Sequence, residues 1–170
     1  MYKINRFHLY VILCAAVLAE VVIVPYLKIY GAKPDIVLIC VAFFGMFLGP
    51  AAGLEAGLAA GFMRDIFTLD VFWMNAFIFG LAGLLAGMLS SKFYRESRAT
   101  QIFFVFGLTA FSMCLHYFLS VAMAKSSHLL FGSFFFVTVA PSSFYTAILA
   151  VPVFAKFTDA FNLRDYRNIF

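Results

Sequence analysis

Charged side chains are scarce in this sequence. Asp, Glu, Lys and Arg make up 12% of 170 residues, about half the share an ordinary soluble domain carries, too few to cover a surface against water. Histidine is scarcer still: His8, His116 and His128 lie in different segments, with no CxxC, HExxH or paired-His spacing, so no metal site or metal cofactor is expected. Cys14, Cys40 and Cys114 all fall inside apolar runs, where a thiol behaves as a small hydrophobe, so no disulfide framework is implied. Val-Ile-Leu before Cys14 lacks the small residue that a lipoprotein acylation site wants. Glycine-rich nucleotide loops are absent too, because the glycines stand inside apolar runs and not between a strand and a helix. Ser142 and Ser143 follow Pro141 without a GxSxG context, and their hydroxyls are expected to bond back to the helix backbone that Pro141 disrupts. No catalytic constellation emerges, and the chain is not expected to be an enzyme.

What is present is hydrophobic: 65% of residues are apolar, and the mean hydropathy is +1.00. A membrane-spanning helix needs ~20 apolar residues. Six segments qualify, roughly Phe7 to Leu27, Pro34 to Gly49, Ala51 to Leu69, Trp73 to Ser90, Gln101 to Ala124 and Ser133 to Phe157. The connectors KIYGAKP, GP, DIFTLDVF, SKFYRESRAT and KSSHLLFG hold most of the breakers and charges. The expectation is all-α: a polytopic integral membrane protein, one domain over residues 1–170, a compact bundle of about six transmembrane helices with the second and third short. The second segment would make only ~24 Å of helix, so the second and third are read either as two thin spans or as one re-entrant hairpin. The first apolar run follows a basic N-terminus, as a signal peptide does, but shows no small-x-small cleavage site and is read as the first span.

Orientation follows from the basic residues. With the N-terminus inside, Lys3, Arg6, Lys92, Arg95, Arg98, Lys156, Arg164 and Arg167 face the cytoplasm, against Lys28, Lys33, Arg64 and Lys125 outside. The positive-inside rule then puts both termini in the cytoplasm. The net charge of +4 lies in short clusters beside the apolar runs, which suits lipid headgroups better than nucleic acid. Tyr10, Tyr26, Tyr30, Trp73 and Tyr94 near segment ends suit an interfacial aromatic belt. The tail KFTDAFNLRDYRNIF, with Phe157, Phe161 and Tyr166 among charges, reads as a short interfacial helix or a frayed polar end.

Residues 45 to 61 read GMFLGPAAGLEAGLAAG: Gly45, Gly49, Gly53, Gly57 and Gly61 recur every fourth residue. In lipid, apolar burial gives little drive for helix association, and small residues four apart make a groove that a neighbouring backbone can enter. The fourth segment continues the pattern with Ala76, Gly80, Gly83 and Gly87. Segments two to four are therefore expected to pack closely, serving either the fold alone or a docked partner helix, while the Phe-rich fifth and sixth face lipid. One more step of four along the ridge reaches Asp65. A charge deep in a spanning helix is costly and needs a partner or an interface. Counting 1.5 Å per residue from the inner ends places Glu20, Arg64 and Asp65 all ~20 Å deep. A Glu20–Arg64 pair is expected there, with Asp65 bonded to Asn75 or to the start of segment four. Glu55, only ~6 Å in, is expected to reach the inner surface. His116 is expected to be a hydrogen-bonded structural residue.

From Pro34 to Gly87 the sequence resembles the bacterial rod shape-determining protein MreD family. PDIVLICVAFF opens a span with Pro-Asp, GPAAG makes a short turn, GLAAGFMRD ends a glycine-rich helix in Asp, and WMNAF places a polar residue before the next helix. Ala150-Val151-Pro152 resembles a feature of the family's last helix. Where many members read Leu-Gly before the Asn, this chain has Phe72-Trp73-Met74. The resemblance implies a non-catalytic inner-membrane component of the cell-elongation machinery. Its implied partners are MreC, through that protein's membrane anchor, and indirectly RodA, a penicillin-binding transpeptidase and MreB, besides membrane lipid. Pro34, Asp35, Gly61, Asp65 and Asn75 are the family-typical positions, with structural or contact roles. The alternative is a substrate-binding membrane subunit of an energy-coupling-factor vitamin transporter, suggested by the number of spans and by small Ala15 and Ala19 in the first helix.

Overall fold

The computed structural model describes residues 6–28, 32–68, 71–90, 97–123 and 131–161, and among these every regular element is helical. Six helices run in the expected order: α1 (Arg6–Val22), α2 (Ile36–Leu48), α3 (Pro50–Phe67), α4 (Met74–Ser90), α5 (Arg98–Ala122) and α6 (Phe131–Ala160).

Local chemistry accounts for the boundaries. Beyond α1 the chain tightens into a 3-10 turn, Val24–Leu27, at Pro25, which cannot donate the next helical hydrogen bond. α2 starts after Asp35, whose extended backbone (φ −108°) and side chain accepting from Leu38 N–H at 2.8 Å make an N-cap. Gly49 joins α2 to α3 at φ +96°, a conformation glycine adopts without a steric penalty, and Pro50 supplies the pre-set first turn of α3. Inside α6, Phe135–Val139 widens into a π-helical stretch just before Pro141. A proline there removes the N–H that would bond back to residue 137, and the looser turn absorbs the defect.

α2 is the centre of the molecule. Every residue from Val37 to Met46 is buried, as expected of a helix that is hydrophobic all round. At ~20 Å long it is shorter than a bilayer core, and its neighbours, not lipid, surround it. α3 and α4 are the most intimately packed pair, and α2 nests against both. α5 and α6 form a second pair. They carry Phe103, Phe118, Phe136 and Phe144 at 57–77% exposure, consistent with lipid-facing surfaces.

The sixth helix nonetheless divides. Its second half turns inward, with Phe154 fully buried and the rings of Phe154 and Phe157 5.4 and 5.2 Å from Phe43. This corrects the interfacial reading of the tail. Lys156 to Ala160 continue α6, and Phe157 and Phe161 pack on Phe43 and Phe44, because burying large rings on the central helix removes more apolar area than an interface would. Tyr30, Tyr94, Tyr166, the rest of the tail, and Lys3, Lys92, Arg95, Lys125, Arg164 and Arg167 lie outside the described residues.

Candidate functional site

Two features converge on the α2–α3–α4 block. The first is the glycine seam. A methyl group at Gly57 would overlap the Phe79 carbonyl oxygen, at Gly53 the Gly83 carbonyl, at Gly83 the Gly53 carbonyl, at Gly61 the Ala76 backbone, and at Gly87 the Pro50 backbone. At Gly45 it would come within 2.7 Å of the Ala86 Cβ and the Gly83 carbonyl oxygen. The helices thus touch main chain to main chain, the close approach that small residues permit.

Gly49 and Gly80 differ from the ridge as read in sequence. Gly49 stands between the two helices, not on α2, and nothing lies within 4 Å of its missing side chain. Its requirement is the left-handed turn. A side chain at Gly80 would first meet the Leu58 and Leu54 side chains, at 3.0–3.5 Å, which can shift.

The second feature is a polar cluster where α1 and α3 end and α2 and α4 begin. The first turn of a helix leaves backbone N–H groups without partners inside the helix, and both α2 and α4 start in buried surroundings. Glu20 accepts from Val37 N–H at 3.1 Å and Asp35 from Leu38 N–H at 2.8 Å, together capping α2. Asp65, only 5% exposed, caps α4 from a neighbouring helix. Its carboxylate accepts from Trp73, Asn75 and Ala76 N–H at 3.1 Å each, and from Asn75 Nδ2 at 2.8 Å. Negative charge is favourable at both helix starts. Gly61 belongs to the same device: its bare surface lies on Asn75 and Ala76, which lets α4 come near enough for Asp65 to reach it.

Arg64 Nη1 lies 3.2 Å from Glu20 Oε1 and 3.0 Å from Asp35 Oδ2, and its guanidinium sits 5.1 Å from the centre of the Phe79 ring, a cation–π distance. The Glu20–Arg64 pair and the Asp65–Asn75 bond are where residue counting along the helices places them. Asp35 is the third member, which that counting misses because a loop, not a helix, sets its position. α6 joins through side-chain hydroxyls that accept from the loop backbone: Asp35 N–H donates to Thr146 Oγ1 at 3.1 Å and Lys33 N–H to Ser142 Oγ at 3.3 Å.

The expected back-bonding of Ser142 and Ser143 is corrected by these contacts. Ser142 Oγ accepts from Lys33, and Ser143 Oγ is buried without a partner. Thr146 is the residue that bonds back, to the Ser142 carbonyl at 2.7 Å. At the opposite end Glu55 accepts from the Tyr10 hydroxyl at 2.6 Å and lies 3.7 Å from Arg6. His116 Nδ1 lies 3.4 Å from Ser120 Oγ. Among the described residues no group of three His, Cys, Asp or Glu side chains could hold a metal ion.

Pro34, Asp35, Gly61, Asp65 and Asn75 all lie in or beside this cluster. Elsewhere, α4 and α5 line an apolar groove of about 630 Å³, with Leu85, Leu89, Phe103, Phe111 and the exposed Gly107 along it.

In comparisons with known proteins, the model of one family, described as rod shape-determining protein MreD, matches residues 1–160. No curated protein and no solved structure gives a match.

Proposed function

The chain belongs to the rod shape-determining protein MreD family, a membrane protein family with a role in rod shape, and from that premise we propose that it is a non-catalytic component of the cell-elongation complex. In this reading it is a multi-pass protein of the bacterial inner membrane with both termini in the cytoplasm. It holds MreC, and through MreC the RodA glycosyltransferase, its penicillin-binding transpeptidase and MreB. The observation that carries the reading is the family match over almost the whole chain. The structure supports it in kind: the small-residue faces and buried charges are engaged within the α2–α4 block and its caps, which makes a stiff body suited to holding partners. The termini follow from the excess of basic residues on one side.

The membrane anchor of MreC needs a surface that internal packing has not used. The α4–α5 groove offers one, since a side chain at Gly107 would meet nothing within 4 Å. Co-expression with MreC and pull-down in mild detergent tests the proposal. MreC is expected to co-purify, and Gly107→Leu, which fills the groove, is expected to reduce its recovery while leaving this protein folded. A folded wild-type chain that never retains MreC would overturn the reading.

A further inference from the structure

The sixth helix changes character along its length, and the change falls at one place. From Phe131 to Thr138 no residue is buried. Among the described residues the backbone of this arm comes near α5 and no other helix. What holds it there is a set of rings: Tyr117 stacks on Phe134 at 4.8 Å, and Phe131 meets Tyr117 and Phe118 at 5.4 and 5.3 Å. From Ser142 onward the helix is pinned. Ser142 and Thr146 accept from the loop before α2, and Phe154 is fully buried against Phe43. Between the loose arm and the pinned half stand the π-helical stretch Phe135–Val139, where Ala140 N–H bonds back five residues to the Phe135 carbonyl, and Pro141. A π turn holds one residue more than an α turn, and such stretches are frequent at functional sites. Re-forming it as regular α-helix turns everything before it by about 100° around the helix axis. Pro141 opposes that, because its ring clashes with the carbonyl four residues earlier in a regular helix. The Pro141 side chain is exposed, so it acts on the backbone and not through packing.

The arm borders something. Phe134 lines a half-open cavity of about 210 Å³ whose other walls carry Lys33 and Arg64 against Glu20 and Asp35, balanced in charge. We infer that Phe131–Val139 is a hinged gate on this cavity, pivoting at the π stretch. The structure holds the gate with Phe134 on the cavity wall. A turn of the arm about the pivot carries that ring off the wall and admits water to the ion pairs of Arg64 with Glu20 and Asp35, and water weakens them by raising the local dielectric. Glu20 also caps α2 through Val37 N–H. The position of the arm is thereby coupled to how firmly α1 and α3 are tied to the start of α2.

The experiment uses the full chain in nanodiscs, with Cys14, Cys40 and Cys114 replaced by alanine. Spin labels at Phe136→Cys on the arm and Leu18→Cys on α1, both exposed positions, report the distance between them. Pro141→Ala removes the obstacle to a regular helix and is expected to populate a second distance several ångströms from the first. A cysteine at Met113, on the α5 side of the cavity, is expected to react with a water-soluble thiol reagent about tenfold faster once Pro141→Ala is added, a shift in population of the open arm. Tyr26→Cys, exposed and outside the cavity lining, is expected to react at an unchanged rate. Should Pro141→Ala not fold, hydrogen exchange in the unsubstituted chain decides: amides of residues 131–139 are expected to exchange at least about tenfold faster than those of 142–154. One unshifted distance in both proteins, or equal protection of the two halves of α6, would overturn the hinge. An arm that moves while Met113→Cys labelling stays constant would overturn the gate. None of these outcomes depends on MreC.

Discussion

The α2–α3–α4 block and the α5–α6 pair are built from similarly apolar sequence, yet they associate by different means. In the block, glycine backbones lie on carbonyl groups, and carboxylates close the buried helix starts. In the pair, Phe103, Phe118, Phe136 and Phe144 spread outward at 57–77% exposure, with only the far end of α6 turned to the block, and the one glycine of α5, Gly107, faces open space. Glycine inside a membrane helix is therefore not informative by itself. What matters is whether a backbone occupies the place where its side chain would be.

The sharpest way to break this comparison is to put the same substitution on both sides of it. Gly57→Leu drives a side chain into the Phe79 main chain, which cannot yield without parting α3 from α4. The expected loss is about 4 kcal/mol or more, in the range that marks disrupted packing, seen as failure to purify as a monodisperse species. Gly107→Leu is expected to change stability by no more than about 1 kcal/mol, and in the favourable direction, since leucine is the better helix former. Equal melting temperatures for the two variants would remove the distinction between the regions.

Next in size is the cap on α4. Asp65→Asn keeps the shape but turns one acceptor oxygen into an NH2 group facing N–H donors. Hydrogen bonds to a charged group contribute about 1.5–3 kcal/mol each. A loss of about 2–4 kcal/mol is expected, read as a melting shift in detergent, and Asp65→Glu should not restore it, because the longer side chain cannot keep four contacts at 2.8–3.1 Å. Smaller again is the coupling between Glu20 and Arg64. The double variant Glu20→Gln/Arg64→Gln is expected to be less destabilised than the sum of the singles by about 1–2 kcal/mol. Additive effects would mean that Asp35, at 3.0 Å from the same nitrogen, already satisfies Arg64 alone.

Why some of this was readable in advance and some was not follows from range. The seam and the depth of Glu20, Arg64 and Asp65 rest on helical periodicity, which a sequence carries locally. The bond from Asp65 to Asn75 spans a short loop and could be placed almost as well. Asp35 as a second partner of Arg64 could not, because its position depends on the path of the connection after α1. The roles of Ser142 and Thr146 depend on which face α6 turns to residues more than a hundred positions away. Gly49 belongs to the Gly-Pro connector and not to the ridge: the period-four count runs on through the turn that Pro50 signals. The groove between α4 and α5 has no sequence signature, since absence of a contact leaves no mark on composition.

The smallest expected effect lies in the loop that joins the two helices of the seam, and it tests how far the block is optimised. Trp73 has φ +86°, a backbone region that costs a non-glycine residue about 1–2 kcal/mol. It keeps that conformation because its N–H reaches Asp65, and its ring, half exposed, meets Phe77 edge to face at 6.3 Å. Trp73→Gly removes the strain but also the ring contact, about 0.5–1.5 kcal/mol, so stability is expected to move by less than about 1 kcal/mol. Trp73→Ala loses the ring and keeps the strain, and is expected to be the less stable of the two by about 1 kcal/mol. If alanine equals or exceeds glycine at this position, the left-handed backbone is not maintained against strain. The Asp65 cap then holds a loop that would adopt this path unaided.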